Sequence, residues 1–307
     1  MKKIITTVVA IGGTLLAVTA IAQTSLSVTP QLAATPPPST WMDPDVAAAW
    51  KNGYRGQGVT ITAVDDFRST SRLTGDLGSG SQTQRHGEWT LQEAGMVAPL
   101  ANLVSHDFNS GNSVRLAKGL NVLNLSYGMY GKAGWDVGQL QWDAQSASII
   151  SYAKNGTAVV SKAAGNDAVA IGSANSAGNA DYLNAALKGG RSTIFVGALS
   201  SNGTTATPAS MAVYSNTAGT DTTVQKQFVV VGVKGNETRL YGTSFAAPIV
   251  SGYAAIIGSK FKAASATQIT NQLLTTARKD TVANYNVATY GQGEASLMRA
   301  LAPTAIR

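Results

Sequence analysis

The chain has 307 residues, 44% of them hydrophobic, with no cysteine, two histidines and a formal net charge of +7. The absence of cysteine excludes a thiol nucleophile, a zinc–thiolate site and a lipid-modified cysteine, and a chain of this size can build a core large enough to dispense with disulfides. Lysines and arginines are scattered rather than clustered, which describes a solvated surface and no nucleic-acid partner.

Met1-Lys2-Lys3 is a short basic start, Ile4 to Val18 is almost wholly apolar or small, and Ala20-Ile21-Ala22 has the small-x-small pattern of a cleavage site. Residues 1–22 are therefore expected to be a signal peptide, too short in its apolar part for a membrane span. The product is expected to be secreted or periplasmic, with no membrane attachment after the leader is removed. Residues 23–45 are expected to form a linker and short pre-region. Gln23 to Ser39 is rich in Thr, Ser, Ala and Pro, which favours an extended chain. Residues 46–307 suit one large α/β domain.

Met42 to Asn52 opens the ordered part as a short helix, with Asp43 as its cap before Pro44. Val59 to Val64 is a β-branched strand, and His86 to Met96 has helical spacing. Val122 to Ser126 is a second strand, and Val137 to Lys154 reads as a long helix closed by Asn155-Gly156. Thr157 to Val160, Thr193 to Val196 and Phe228 to Val231 are buried-type strands. Ser244 to Gly258 and Ala266 to Ala277 are helices. Such alternation predicts a doubly wound α/β fold, a mostly parallel sheet with helices on both faces.

Histidine is the scarce resource for acid–base chemistry. His106 sits in the strand-like run Leu103 to Phe108, where a histidine is ordinarily structural. His86 precedes Gly87 and a helix, which places it facing a cleft at the strand ends. A serine becomes a useful nucleophile only when a base takes its proton and a third group fixes that base. Gly242-Thr243-Ser244-Phe245-Ala246-Ala247-Pro248-Ile249-Val250-Ser251-Gly252 offers such a serine. Gly242 permits a tight turn, and Ser244 opens a long apolar helix whose free N–H groups favour a developing oxyanion.

This segment resembles the nucleophile motif of the subtilase family, the subtilisin-like serine proteases. Three more segments match in the same order. Gly56 to Asp65 resembles the strand that ends in the catalytic aspartate, with Asp65 rather than Asp66 aligned. His86-Gly87 resembles the histidine segment, and Ala163-Ala164-Gly165-Asn166 resembles the oxyanion segment. Asn124-Leu125-Ser126-Tyr127-Gly128 resembles the substrate-binding strand. The resemblance implies an Asp65–His86–Ser244 triad, an oxyanion donor in Asn166, and peptide binding along Ser126, Tyr127 and Gly128 and along Ala163, Ala164 and Gly165. It implies a secreted serine endopeptidase acting on polypeptides through an acyl-enzyme. The order Asp, His, Ser is not that of the α/β-hydrolases. No cofactor is implied. Structural calcium, common among relatives, has no recognisable loop here.

The departures from the family pattern are Phe67 after Asp65-Asp66, where glycine is usual, and Glu88-Trp89 after His86-Gly87. They keep two alternatives in view: a catalytically inactive binding protein on the same scaffold, and a sedolisin-like peptidase with a glutamate base. The small residues of the two substrate-binding segments are expected to admit a large side chain before the scissile bond. Asp167 at the rim is expected to attract basic residues weakly.

Overall fold

The computed structural model describes residues 7–10 and 37–306. The expected leader lies outside the described residues except for residues 7–10, and residues 23–36 of the expected linker lie outside them as well.

The strands, in chain order, are β1 (Thr7–Ala10), β2 (Val59–Asp65), β3 (Leu73–Gly75), β4 (Gln82–Gln84), β5 (Asn102–Asp107), β6 (Leu120–Leu125), β7 (Tyr127–Lys132), β8 (Val159–Ala163), β9 (Asn179–Asp181), β10 (Thr193–Leu199) and β11 (Phe228–Gly232). Six of them form the central sheet in the order β11-β10-β8-β6-β2-β5, and every pairing in it is parallel. Parallel strands are buried on both faces, so they read as continuous apolar runs rather than as alternation. Side chains of successive residues still face opposite sides. Ile61, Val122, Val159, Val196 and Val231 enter one core, while Val64, Leu123, Val160, Phe195 and Val230 enter the other.

The helices are α1 (Pro44–Lys51), α2 (His86–Val97), α3 (Ala144–Asn155), α4 (Tyr182–Leu187), α5 (Thr222–Lys226), α6 (Gly235–Thr238), α7 (Ala247–Lys260), α8 (Ala266–Thr275), α9 (Val287–Tyr290) and α10 (Leu297–Leu301). Helices α2, α7 and α8 cover the first core, through residues such as Trp89, Val250 and Leu273. Helices α3 and α4 cover the second, through Ile149 and Leu183. This is the doubly wound arrangement expected. The chain runs from β2 to β5 on one side and then to β6 on the other. The strand order therefore reverses beside β2, and the crevice that forms at the carboxyl ends of strands at such a point is where ligands bind.

Three local expectations need correction. The long helix over Val137 to Lys154 is two pieces: a 3-10 turn at Val137–Gln139 and helix α3, which starts only where Asp143 caps it by accepting from Ser146 N. Periodicity alone did not register that cap. The helix expected from Ser244 begins instead at Ala247, and Ser244 lies in the 3-10 turn Thr243–Phe245 before it. Finally, the folded body begins before residue 46. Trp41 and Met42 are buried in the first core, Trp41 Nε1 donates to Leu77 O, and the Asp45 carboxylate accepts from Ser296 Oγ and Met298 N.

Candidate active site

Asp65 is the last residue of β2 and is fully buried. His86 is the first residue of α2. The two meet at 2.6 Å, Asp65 Oδ1 to His86 Nδ1, and because a carboxylate only accepts, Nδ1 carries the proton. The other carboxylate oxygen accepts from Thr90 Oγ1 at 3.0 Å, one turn along α2, and Oδ1 also accepts from Asp66 N. The aspartate is thereby fixed at both oxygens. His86 Nε2 is buried with no hydrogen-bond partner among the described residues. Burial lowers the pKa of His86, but the charge of Asp65 and its hydrogen bond outweigh burial and leave it raised above the usual imidazole range.

Asp66 points elsewhere. Its carboxylate closes the turn after β2 by accepting from Arg68 N, Ser69 N and Ser69 Oγ. Phe67, in place of the usual glycine, donates its N–H to Asp107 Oδ2 and lays its ring beside Gly87, 2.9 Å from where a Cβ would stand. Glu88 accepts from the backbone N–H and guanidinium of Arg85, so it serves the helix start and is occupied there. His106 lies on β5, away from this pair, with its Nε2 bound to Gln145 Oε1 and Ser110 Oγ. Burial lowers its pKa.

Ser244 is fully buried. Its turn depends on Gly242, which has φ +117°, a conformation side chains resist. A Cβ there would also stand 2.8 Å from Asn166 Nδ2. Ser244 Oγ donates to Ser126 O at 3.1 Å, and Ser126 Oγ donates to Ser244 O at 2.8 Å. Behind them Asn124 Nδ2 donates to Ser126 Oγ, and Asn124 Oδ1 accepts from Ser251 Oγ of α7. A buried polar chain thus ties the end of β6 to the serine turn. The Phe245 ring lies 5.6 Å from the His86 imidazole, centroid to centroid, bringing the serine turn against the base.

Asn166 follows β8. Its Oδ1 accepts from Thr243 N and Thr243 Oγ1, at 2.8 and 2.9 Å. This settles which end of the amide is which: Nδ2 is turned toward the front of the serine turn, next to Gly242. Gly165 N donates to Thr243 Oγ1. Asn216 Oδ1 accepts from Asp167 N and Val169 N and pins the loop after Asn166. Ser126, just before Tyr127 and Gly128 of β7, therefore bonds directly to Ser244. Gly165, just after Ala163 and Ala164 at the end of β8, bonds to Thr243 of the same turn. Strand β1 pairs antiparallel with β7, Val9 opposite Gly128 and Ala10 opposite Tyr127.

Sequence reasoning missed Thr90 and Asn216 and gave Thr243 no role of its own, since their types are unremarkable and their partners are distant in the chain. It also missed a buried ion pair. Lys162 Nζ of β8 donates to Asp181 Oδ2 at 3.0 Å and to Ala163 O at 2.6 Å. A lysine inside the apolar run Val159–Ala163 was the available signal, since buried charges need partners. Among the described residues no group of three or more His, Asp or Glu side chains is placed to hold a metal ion, and no helix is long and apolar enough to cross a membrane.

A family model described as the subtilase family, Peptidase S8, matches residues 76–293. No curated protein matches the sequence. Among solved structures, the prenylagaramide maturation protease PagA is 20% identical, with a TM-score of 0.54 over 84% of this chain and 98% of its own. MycP1 from Mycobacterium smegmatis is 20% identical, with a TM-score of 0.53 over 91% of this chain and 89% of its own. A psychrophilic protease, S41, is 18% identical, with a TM-score of 0.53 over 86% and 99%. At these identities the likeness is one of fold.

Proposed function

The chain belongs to the subtilase family and is a serine endopeptidase; on that premise we propose that Asp65, His86 and Ser244 form its catalytic triad and that Asn166 supplies the oxyanion donor. The observation that carries this reading is the 2.6 Å bond from Asp65 to His86 Nδ1, with Nε2 left buried and unpartnered beside the serine turn. Everything else on the imidazole is satisfied, so Nε2 is the one atom free to accept a proton.

Ser244 Oγ leaves the carbonyl of Ser126 and gives its proton to His86 Nε2 as its lone pair attacks the scissile carbonyl carbon. The C=O electrons move onto oxygen, where Asn166 Nδ2 and the Ser244 N–H receive the charge. The intermediate collapses with departure of the amine, which takes the proton from Nε2 and leaves an acyl group on Ser244. Water repeats the sequence and releases the acid. Asp65 holds the tautomer and stabilises the imidazolium without itself being protonated. The substrate lies extended on the edge of β7, which already pairs with an extended segment in the form of β1.

Residues 1–22 would export the enzyme, giving a secreted or periplasmic protein whose first residue is Gln23. The test of the site is a fluorophosphonate probe. It is expected to label the wild-type protein at Ser244, to fail with Ser244→Ala and His86→Ala, and to succeed with His106→Ala. A folded wild-type protein that the probe leaves unmodified would instead be a non-catalytic binding protein on this scaffold.

A further inference from the structure

The resemblance to the subtilases implies that the side chain preceding a scissile bond attacked by Ser244 lies between the segments that hold Gly128 and Gly165. Both are glycines, and the sequence alone suggests an open slot. The structure fills it. A Cβ on Gly128 would stand 2.6 Å from Tyr130 Cε2 and 2.9 Å from Asp181 Oδ2. Both groups therefore press against the face of Gly128 where a side chain would point. The Tyr130 ring reaches across to the other wall, where its oxygen lies 3.6 Å from the Cβ position of Gly165. There the hydroxyl donates to Asp167 Oδ2 at 3.2 Å.

The floor is equally closed. Asp181 is held in place by Lys162 Nζ and also accepts from Met129 N of β7 and Leu183 N of α4. It caps a helix and anchors a strand, so it cannot withdraw without breaking both. Asp167 is engaged from two directions, by Tyr130 and by Asn175 Nδ2. The acid at the floor is thus already paired with a cation, while Asp167 at the rim is exposed and bound only by neutral donors.

Building on the triad reading, we propose that Tyr130 sets the substrate class: the enzyme cleaves after small residues, glycine, alanine or serine, because the Tyr130 ring occupies the space a larger side chain would need. This differs from the expectation of a slot that admits a large side chain. The walls are small as expected, but a residue two positions beyond Gly128 folds back between them.

The experiment compares kcat/KM for matched peptide substrates that carry alanine or phenylalanine before the scissile bond, with fluorophosphonate labelling run in parallel. Wild type is expected to favour alanine by at least about tenfold, the scale on which a pocket rejects excess volume. In Tyr130→Ala the phenylalanine-to-alanine ratio is expected to rise by about tenfold or more. Tyr130→Phe, which keeps the ring and loses only the bond to Asp167, is expected to retain the wild-type ratio. Equal use of both substrates by labelled wild-type enzyme would overturn the size limit alone. So would a ratio that does not move in labelled Tyr130→Ala, or one that rises as far in Tyr130→Phe. Failure of wild type to label would remove the triad and the size limit together.

Discussion

Two buried acid–base pairs lie at the carboxyl ends of neighbouring parts of the sheet, and they are built to opposite ends. Asp65–His86 and Lys162–Asp181 are both closed to solvent. In the second pair both charged groups are engaged: Lys162 Nζ donates to Asp181 and Ala163 O, and Asp181 caps α4 while holding β7. In the first, the carboxylate is fully engaged but the imidazole keeps one buried nitrogen without a partner. Charge behaviour differs in step. Burial lowers the pKa of Lys162 and Asp181 only partly opposes this, whereas for His86 the carboxylate overcomes burial. A satisfied buried pair is architecture. An unsatisfied atom on an otherwise fixed pair is a site for chemistry.

Replacing each acid by its amide draws this contrast most sharply. Asp65→Asn keeps the shape but offers Nδ1 the wrong hydrogen-bonding partner, so kcat is expected to fall by roughly 10⁴-fold while the melting temperature changes little. Steady-state kinetics with active-site titration checks this, and a near-normal kcat would mean that another group orients His86.

Lys162→Met should show the reverse pattern. It leaves the Asp181 carboxylate buried without its cation, a situation that costs roughly 3–5 kcal/mol. Adding Asp181→Asn removes the stranded charge and should recover part of that loss. Denaturant midpoints measure both. A single variant as stable as wild type would show that Asp181 finds water or another donor and that Lys162 does not hold it in place.

The smallest effect concerns pH. His86 must be neutral to accept a proton, and its pKa is raised, so the acidic limb of kcat/KM is expected above the usual imidazole range and should move down in Asp65→Asn. Stability runs the other way. A histidine whose pKa rises on folding contributes stability that is fully present below its unfolded pKa and is lost as pH climbs through the folded value. The enzyme therefore gives up the stabilisation of the charged pair over the same interval in which it becomes active. A pH–rate profile and a pH series of melting curves, crossing in opposite directions, would establish that one group governs both.

Much of the proposed site was legible because its chemistry needs particular residue types in particular surroundings. Ser244 stood between a glycine and a run of small apolar residues, and Asp65 ended a β-branched strand. His86 was one of two candidates, and its helix start distinguished it from His106. What could not be read was anything made by packing between segments far apart in the chain. Thr90 holds Asp65 across 25 positions, and Thr243 orients Asn166 across 77. The helix expected over Val137 to Lys154 failed for a local reason: Asp143 competes for the backbone and starts a new helix there.

The sequence by itself determined the parallel sheet, the order of its strands along the chain and the candidates for the reacting groups. Those follow from apolar runs, breakers and the few side chains able to do the chemistry. The tertiary structure alone decided that Asp66 closes a turn, that Trp41 and Met42 belong to the core, and that Ser244 sits on a 3-10 turn ahead of its helix. It also decided what fills the slot beside the serine. Glycine at 128 and at 165 means open space or close approach with equal force in one dimension. Only the fold brings the Tyr130 ring against both and Asp181 against Gly128, because the free volume at a site is a property of its neighbours and not of the residues that line it.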